Sequence, residues 1–144
     1  MHEFLDASDR ATNVVLVDDD TVDVMNVRRA FAKARIEDPL FVAGDGLEAL
    51  TLLRSGTVPA HRRIVLLDLN MPRMSGLEFL RALRADAALA ATPVVVLTTS
   101  DDQREISEAY RLHVAGYLLK PVTADSFLNL MDTLARYWSL MEMP

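Results

Sequence analysis

The stretch Val14-Val15-Leu16-Val17-Asp18-Asp19-Asp20 decides how this chain is read. Four consecutive apolar residues without polar alternation mark a strand buried on both faces. The acids that follow mark the point where it meets water. The same pattern recurs in Leu40-Phe41-Val42-Ala43 (opened by Pro39), Ile64-Val65-Leu66-Leu67, Val94 to Leu97 (introduced by Pro93) and Tyr117-Leu118-Leu119. Between these runs apolar residues return at helical spacing: Val24, Val27, Phe31 and Ala34; Leu47, Leu50 and Leu53, ended by Ser55-Gly56; Leu77, Leu80 and Leu83; Ile106, Ala109 and Tyr110; then Phe127 onward. Five strands alternating with five helices predict an α/β domain, a doubly wound parallel sheet covered on both faces. Its crossovers are expected to be right-handed. Ligands of such sheets sit beyond the carboxyl ends of the strands.

Composition sets the outer bounds. The 144 residues suit one domain, and 51% apolar content fills its core. Cysteine is absent, which excludes a disulfide scaffold and a thiolate metal site and fits a reducing compartment. Fifteen Lys+Arg against 21 Asp+Glu give a net charge of −6, with no basic surplus to grip a phosphate backbone. Met1 to Ala11 has neither the basic start nor the apolar stretch of a signal peptide. No apolar run approaches the roughly 20 residues that span a bilayer. The expectation is a cytoplasmic protein with neither nucleic acid nor membrane as partner. No repeat, low-complexity stretch or linker interrupts the chain.

The strand ends carry the chemistry. Asp18, Asp19 and Asp20 follow the first strand, Asp68 the third, Thr98, Thr99 and Ser100 the fourth, and Lys120-Pro121 the fifth. Crowded carboxylates resist ionising together, and a divalent cation removes that cost. An all-oxygen site suits Mg²⁺, which keeps waters for a phosphate to replace. Lys120 offers a compact charge for a phosphoryl oxygen and Thr98 a hydroxyl. These are the parts of phosphoryl transfer, with a carboxylate as nucleophile. The plainer alternative is that such acids only cap helices. It is preferred for Asp20, Asp23, Asp101 and Asp102, but it gives no reason for a lysine at the fifth strand end.

At these residues the chain resembles the receiver domain of two-component response regulators. The resemblance covers residues 12–136 and rests on Val17-Asp18-Asp19, on Asp68-Leu69-Asn70-Met71-Pro72 with Ser75-Gly76-Leu77, on Leu97-Thr98-Thr99 and on Lys120-Pro121, each at its own strand end. It implies a flavodoxin-like sheet in the order 2-1-3-4-5. It implies that Asp68 is the phosphoacceptor, that Asp19 and, through water, Asp18 bind Mg²⁺ together with Asp68 and the Asn70 backbone carbonyl, and that Thr98 and Lys120 hold the phosphoryl oxygens. It makes Thr98 and Tyr117 the switch pair, and the Lys120–Pro121 peptide cis. The donor would be a sensor histidine kinase. The output would be a reshaped surface of the fourth helix, fifth strand and fifth helix: signalling rather than enzyme turnover.

The end of the chain is the second informative feature. Phe127, Leu130, Leu134, Tyr137 and Met141 form an amphipathic stripe that runs on through Trp138 to Met143. Residues 137–144 are read as an extension of the last helix and, with Phe127, Leu130 and Leu134, as a homodimer contact, because aromatic and Met residues clustered at a chain end suit an interface. The alternative is a longer helix folded back on its own core. Residues 1–11 are read as a flexible N-terminus. With nothing after Pro144, output by protein contact or phosphate relay is expected rather than DNA binding. The ending, with Asp18-Asp19-Asp20-Thr21-Val22-Asp23, is similar to single-domain regulators paired with bacterial phytochrome kinases, which suggests a bacteriophytochrome as partner.

Three other readings compete. Asp18-Asp19-Asp20-Thr21-Val22 also fits the nucleophile motif of haloacid dehalogenase-type phosphatases, with Asp18 attacking and Asp20 as acid/base, but the order of lysine and final acid fails. Gly44-Asp45-Gly46-Leu47-Glu48-Ala49 formally matches a dinucleotide fingerprint, though on the second strand, and is better read as a tight turn. A degenerate receiver serving only as a dimer scaffold would lack a pocket residue, and none is missing. His2, His61 and His113 have no metal spacing; His113 reads as a helix-end residue.

Overall fold

The structure is a computed structural model that describes residues 11–144. The expected flexible start falls almost wholly outside them. Strand β1 (Asn13–Val17) is followed by α1 (Thr21–Lys33), β2 (Leu40–Ala43), α2 (Gly46–Arg54), β3 (Arg63–Leu67), α3 (Gly76–Ala85), β4 (Val94–Thr98), α4 (Gln103–Arg111), β5 (Gly116–Leu119) and α5 (Ala124–Leu140). The five strands form one parallel sheet in the order β2-β1-β3-β4-β5, as the resemblance implied.

Alternation along each strand divides the core into two layers. Val15, Val17, Val65, Leu67 and Val96 face α2, α3 and α4, against Leu50, Phe79, Leu80, Leu83 and Ala109. Val14, Leu16, Ile64, Leu66 and Val95 face α1 and α5, against Val27, Phe31, Phe127, Met131 and Trp138. The three central strands therefore need apolar residues at all their inner positions, which is why they read as unbroken runs. Each helix starts on a side-chain cap: Asp20, Asp45, Ser75, Asp102 and Thr123 accept backbone N–H groups of the following turn.

Strand register positions the site. Val17 pairs with Leu67, so Asp18 and Asp68 leave the sheet side by side, and the Asp68 N–H donates to the Val17 carbonyl at 2.9 Å. Thr98 pairs with Leu119 at the end of β4, just before Lys120. The connection order reverses between β1 and β3, and that opens a crevice at their carboxyl ends.

The C-terminal expectation needs correction. Helix α5 ends at Leu140, and residues 141–144 are not helical. Phe127, Leu134 and Trp138, read as interface, are buried against the chain's own sheet, with Trp138 only 1% exposed. Leu130 and Met141 are partly buried against the same layer. Tyr137, at 55%, and Leu140, at 82%, face outward. The cause is a polar clasp at the amino ends of the strands. The buried Arg62 guanidinium donates from Nη1 to the Met141 carbonyl (2.8 Å) and from Nη2 to the Trp138 carbonyl and Thr12 Oγ1 (both 3.0 Å). Its backbone N–H donates to the Pro144 carbonyl at 2.9 Å. Trp138 Nε1 donates to Asp38 Oδ2 at 2.8 Å, and its ring lies 6.3 Å from that of Phe31. The tail thus folds back on its own core. No helix among the described residues is long and apolar enough to cross a membrane.

Replacing Trp138 by Ala is expected to cost about 3–5 kcal/mol in urea unfolding, the range for large buried aromatic side chains. Tyr137→Ala is expected to stay within about 0.5 kcal/mol, as at exposed sites. Equal effects would contradict the inward and outward assignments.

Candidate functional site

Asp18 and Asp68 are buried to 4% exposure and Asp19 is exposed. One carboxylate oxygen from each lies within 4.8 Å of the others. Asp18 Oδ1 accepts the Asp20 N–H at 2.9 Å, and Asp68 Oδ1 accepts the Asn70 N–H at 3.4 Å. Both carboxylates are thereby fixed by the turns that follow their strands. Into this cluster reaches Lys120, whose Nζ lies 2.9 Å from Asp18 Oδ2, 2.7 Å from Asp23 Oδ2 and 3.2 Å from Asp68 Oδ2.

Asp23 corrects the sequence reading, which made it only a helix-start residue. It sits in the first turn of α1, but its carboxylate makes the shortest of the three contacts to Lys120. Its place one turn after the strand-end acids was the available signal; capping chemistry masked it. The Lys120–Pro121 peptide, expected to be cis, is not: no cis peptide occurs among the described residues. Lys120 reaches the cluster without one, because its N–H is held by the Thr98 carbonyl at 2.8 Å.

Thr98 is fully buried, and its Oγ1 accepts the Ser100 N–H at 3.4 Å. The Tyr117 ring packs partly against the α2–α3–α4 layer, and its hydroxyl donates to the Ser100 carbonyl at 2.7 Å. The two residues read as a switch pair are therefore joined through one β4–α4 loop residue. Burial raises the Tyr117 pKa and keeps the hydroxyl a donor.

The loop carrying Asp68 and Asn70 is held from behind. A Cβ added to Gly76 would lie 2.4 Å from the Asp68 carbonyl oxygen and 2.6 Å from Leu69 Cα, so only glycine lets α3 begin this close. Farther along, Arg73 pairs with the buried Asp45 carboxylate, which also caps α2. The Gly44-Asp45-Gly46 turn is thus a capping structure: the Gly44 N–H donates to Glu48 Oε2 at 2.9 Å and the Glu48 N–H to Asp45 Oδ1 at 2.9 Å. Asp20, the acid/base of the phosphatase reading, caps α1, its Oδ1 accepting the Val22 and Asp23 N–H groups.

Four carboxylates around one ammonium leave the cluster negative. Burial pushes the Asp18 carboxyl up to about 6, and the Asp68 charge adds to this, against the pull of the Asp20 N–H and Lys120. Burial works against the Lys120 charge as well, but hydrogen bonds to Asp23 and Asp18 and the charges of Asp18 and Asp68 hold its pKa above the ordinary lysine value. An all-oxygen donor set, with converging carboxylates and a negative balance, fits a hard divalent cation such as Mg²⁺ or Mn²⁺. A cavity of about 590 Å³ lies elsewhere, between α3 and α4, lined by Leu77, Arg81 and Glu108 among others. Chemistry rather than size marks the site.

Residues 14–132 match the model of the response regulator receiver domain. The chain is 35% identical over 127 residues to the probable methanogenesis regulatory protein FilR2 of Methanothrix harundinacea, covering 87% of this chain and 82% of that one. It is 31% identical over 136 residues to response regulator Rcp1 of Synechocystis, covering 92% of each. A Mn²⁺-bound structure of Rcp1 superposes with a TM-score of 0.80 at 30% identity, covering 92% of this chain and 99% of that one. The phosphorylated cyanobacterial phytochrome response regulator RcpA superposes with a TM-score of 0.84 at 29% identity, over 93% of this chain and 99% of that one.

In metal-free protein Asp18 binds its proton more tightly folded than unfolded, between the ordinary value of 3.8 and about 6. The native state holds more protons in that window, so the Asp18 contribution to stability falls as pH rises through it. Urea midpoints of the wild type are expected to decline from pH 4 to 6 relative to Asp18→Asn, and Mg²⁺ is expected to suppress the decline. Parallel curves without metal would remove the claim.

Proposed function

The chain belongs to the response regulator receiver domain family, and from that premise we propose that Asp68 accepts a phosphoryl group from the phosphohistidine of a sensor histidine kinase. The observation that carries this reading is the Lys120 ammonium in contact with Asp18, Asp23 and Asp68 at one crevice. Asp18, Asp19, Asp68 and the Asn70 backbone carbonyl would hold Mg²⁺, which supplies positive charge for the crowded carboxylates and the incoming phosphoryl oxygens.

The protein's own groups do the rest. A carboxylate oxygen of Asp68 attacks phosphorus as the bond to the histidine nitrogen breaks. Lys120, already 3.2 Å from Asp68 Oδ2, transfers its hydrogen bond to a phosphoryl oxygen. The new negative charge attracts the Thr98 hydroxyl away from the Ser100 N–H. Ser100 also holds the Tyr117 hydroxyl, so a shift in this loop releases the tyrosine and reshapes the surface of α4, β5 and α5. The similarity to phytochrome response regulators supports a bacteriophytochrome as the kinase. A homodimer is proposed in narrower form. Its contact on α5 consists of Tyr137 and Leu140, the apolar residues that the clasp leaves outward.

Incubation with Mg²⁺ and a small acyl phosphate, followed by intact mass, is expected to add one phosphoryl group to the wild type and none to Asp68→Asn. Lys120→Ala is expected to accept phosphate poorly and to switch worse. A label on another residue, or continuous phosphate release from a generic phosphomonoester, would overturn the assignment. Light scattering is expected to give a dimer for the wild type and a monomer for the double variant Tyr137→Ser, Leu140→Ser; an unchanged mass in the variant refutes the α5 contact.

A further inference from the structure

Arg63 opens β3 at the pole of the sheet away from the acidic crevice. It stands five residues before Asp68, about 16 Å away at strand rise. The residue is only 9% exposed. Its Nη1 donates to the Leu53 carbonyl near the end of α2, at 3.2 Å. A guanidinium has five N–H donors, yet among the described residues its side chain makes no other hydrogen bond and no ion pair. Burial pulls its pKa downward with no carboxylate to oppose it. Its unbonded guanidinium nitrogens are not sealed from solvent, so a cation without a counter-charge faces space that an anion can enter.

The space for one is present. Two adjoining cavities, of about 360 and 110 Å³, share Arg63, Ala60 and Ala88 as walls. The larger is otherwise lined by the buried apolar side chains of Leu53, Val58 and Leu89. Asp86 also borders it but is already paired with Arg54, whose Nε lies 3.1 Å from Asp86 Oδ2. The pair cancels, so among the side chains lining the larger cavity Arg63 leaves one net positive charge, which favours a monoanion over a dianion such as a phosphate ester; Pro144 borders only the smaller cavity.

We propose that this cavity binds a short aliphatic monocarboxylate, its carboxylate on the Arg63 guanidinium and its hydrocarbon body against Leu53, Val58 and Leu89. The planar guanidinium fork matches a carboxylate. The larger cavity lies near the lower end of the roughly 300–1,000 Å³ range of small-molecule sites. The site is independent of phosphoryl transfer at Asp68, since it shares no residue with that cluster.

The test titrates the full chain in parallel with hexanoate, 1-hexanol and inorganic phosphate, followed by thermal unfolding and backbone amide NMR. Hexanoate is expected to raise the Tm saturably and to shift amides of residues 53–63 and 86–89. Hexanol and phosphate should bind at least about tenfold more weakly, as should hexanoate to Arg63→Gln, the scale of a lost charge-assisted hydrogen bond. Three results overturn the proposal: no saturable shifts at those amides in the wild type, whether or not the variant folds; equal response to hexanoate and hexanol; or shifts gathered around Lys120 instead.

Discussion

Everything at the functional end of this molecule depends on one ammonium group held among three carboxylates. Like charges placed side by side by strand register would drive the ends of β1 and β3 apart or force a proton onto one of them. Lys120 comes from the far side of the sheet and contacts Asp18, Asp23 and Asp68 together. It offsets part of that repulsion and leaves part of it. The remainder suits a hard cation, and together with burial, the larger cause, it raises the Asp18 carboxyl to about 6. A fully neutralised cluster would have no such appetite.

The two sides of that arrangement are held differently. Gly76 lets α3 press against the Asp68 carbonyl, so the Asp68 backbone cannot drift backward. The β4–α4 loop, in contrast, meets Thr98 and Tyr117 by one hydrogen bond each at Ser100, whose hydroxyl is otherwise tied to Glu105 and Asp102 at the start of α4. A local change of charge can break such contacts, whereas it cannot repack the apolar layers on either side of the sheet.

The opposite pole is built on different terms. Arg62 satisfies carbonyls of the last turn of α5 and of the tail, and Trp138 fills the space beneath them. Two adjacent arginines are buried there, at the amino ends of the strands, with unlike surroundings. Arg62 is surrounded by acceptors, with only its Nε lacking one, while Arg63 has one carbonyl and open space.

Sequence alone determined the element order, the parallel sheet and the identity of the strand-end residues. Runs such as Val14 to Val17 have no other explanation than a strand covered on both faces, and Asp68 and Lys120 fall where such strands end. It could not assign Asp23, because an acid in a first helical turn satisfies local capping chemistry whether or not it also meets a distant lysine. It misread Trp138, because helical periodicity fixes which residues share a face but not how far the neighbouring core extends to cover that face. The clasp that extends it pairs Arg62 with carbonyls nearly eighty residues away, and backbone carbonyls carry no sequence signature. Tertiary structure decided those points because they rest on pairings between distant parts of the chain, of Asp23 with Lys120 and of Arg62 with backbone carbonyls, that no local pattern encodes.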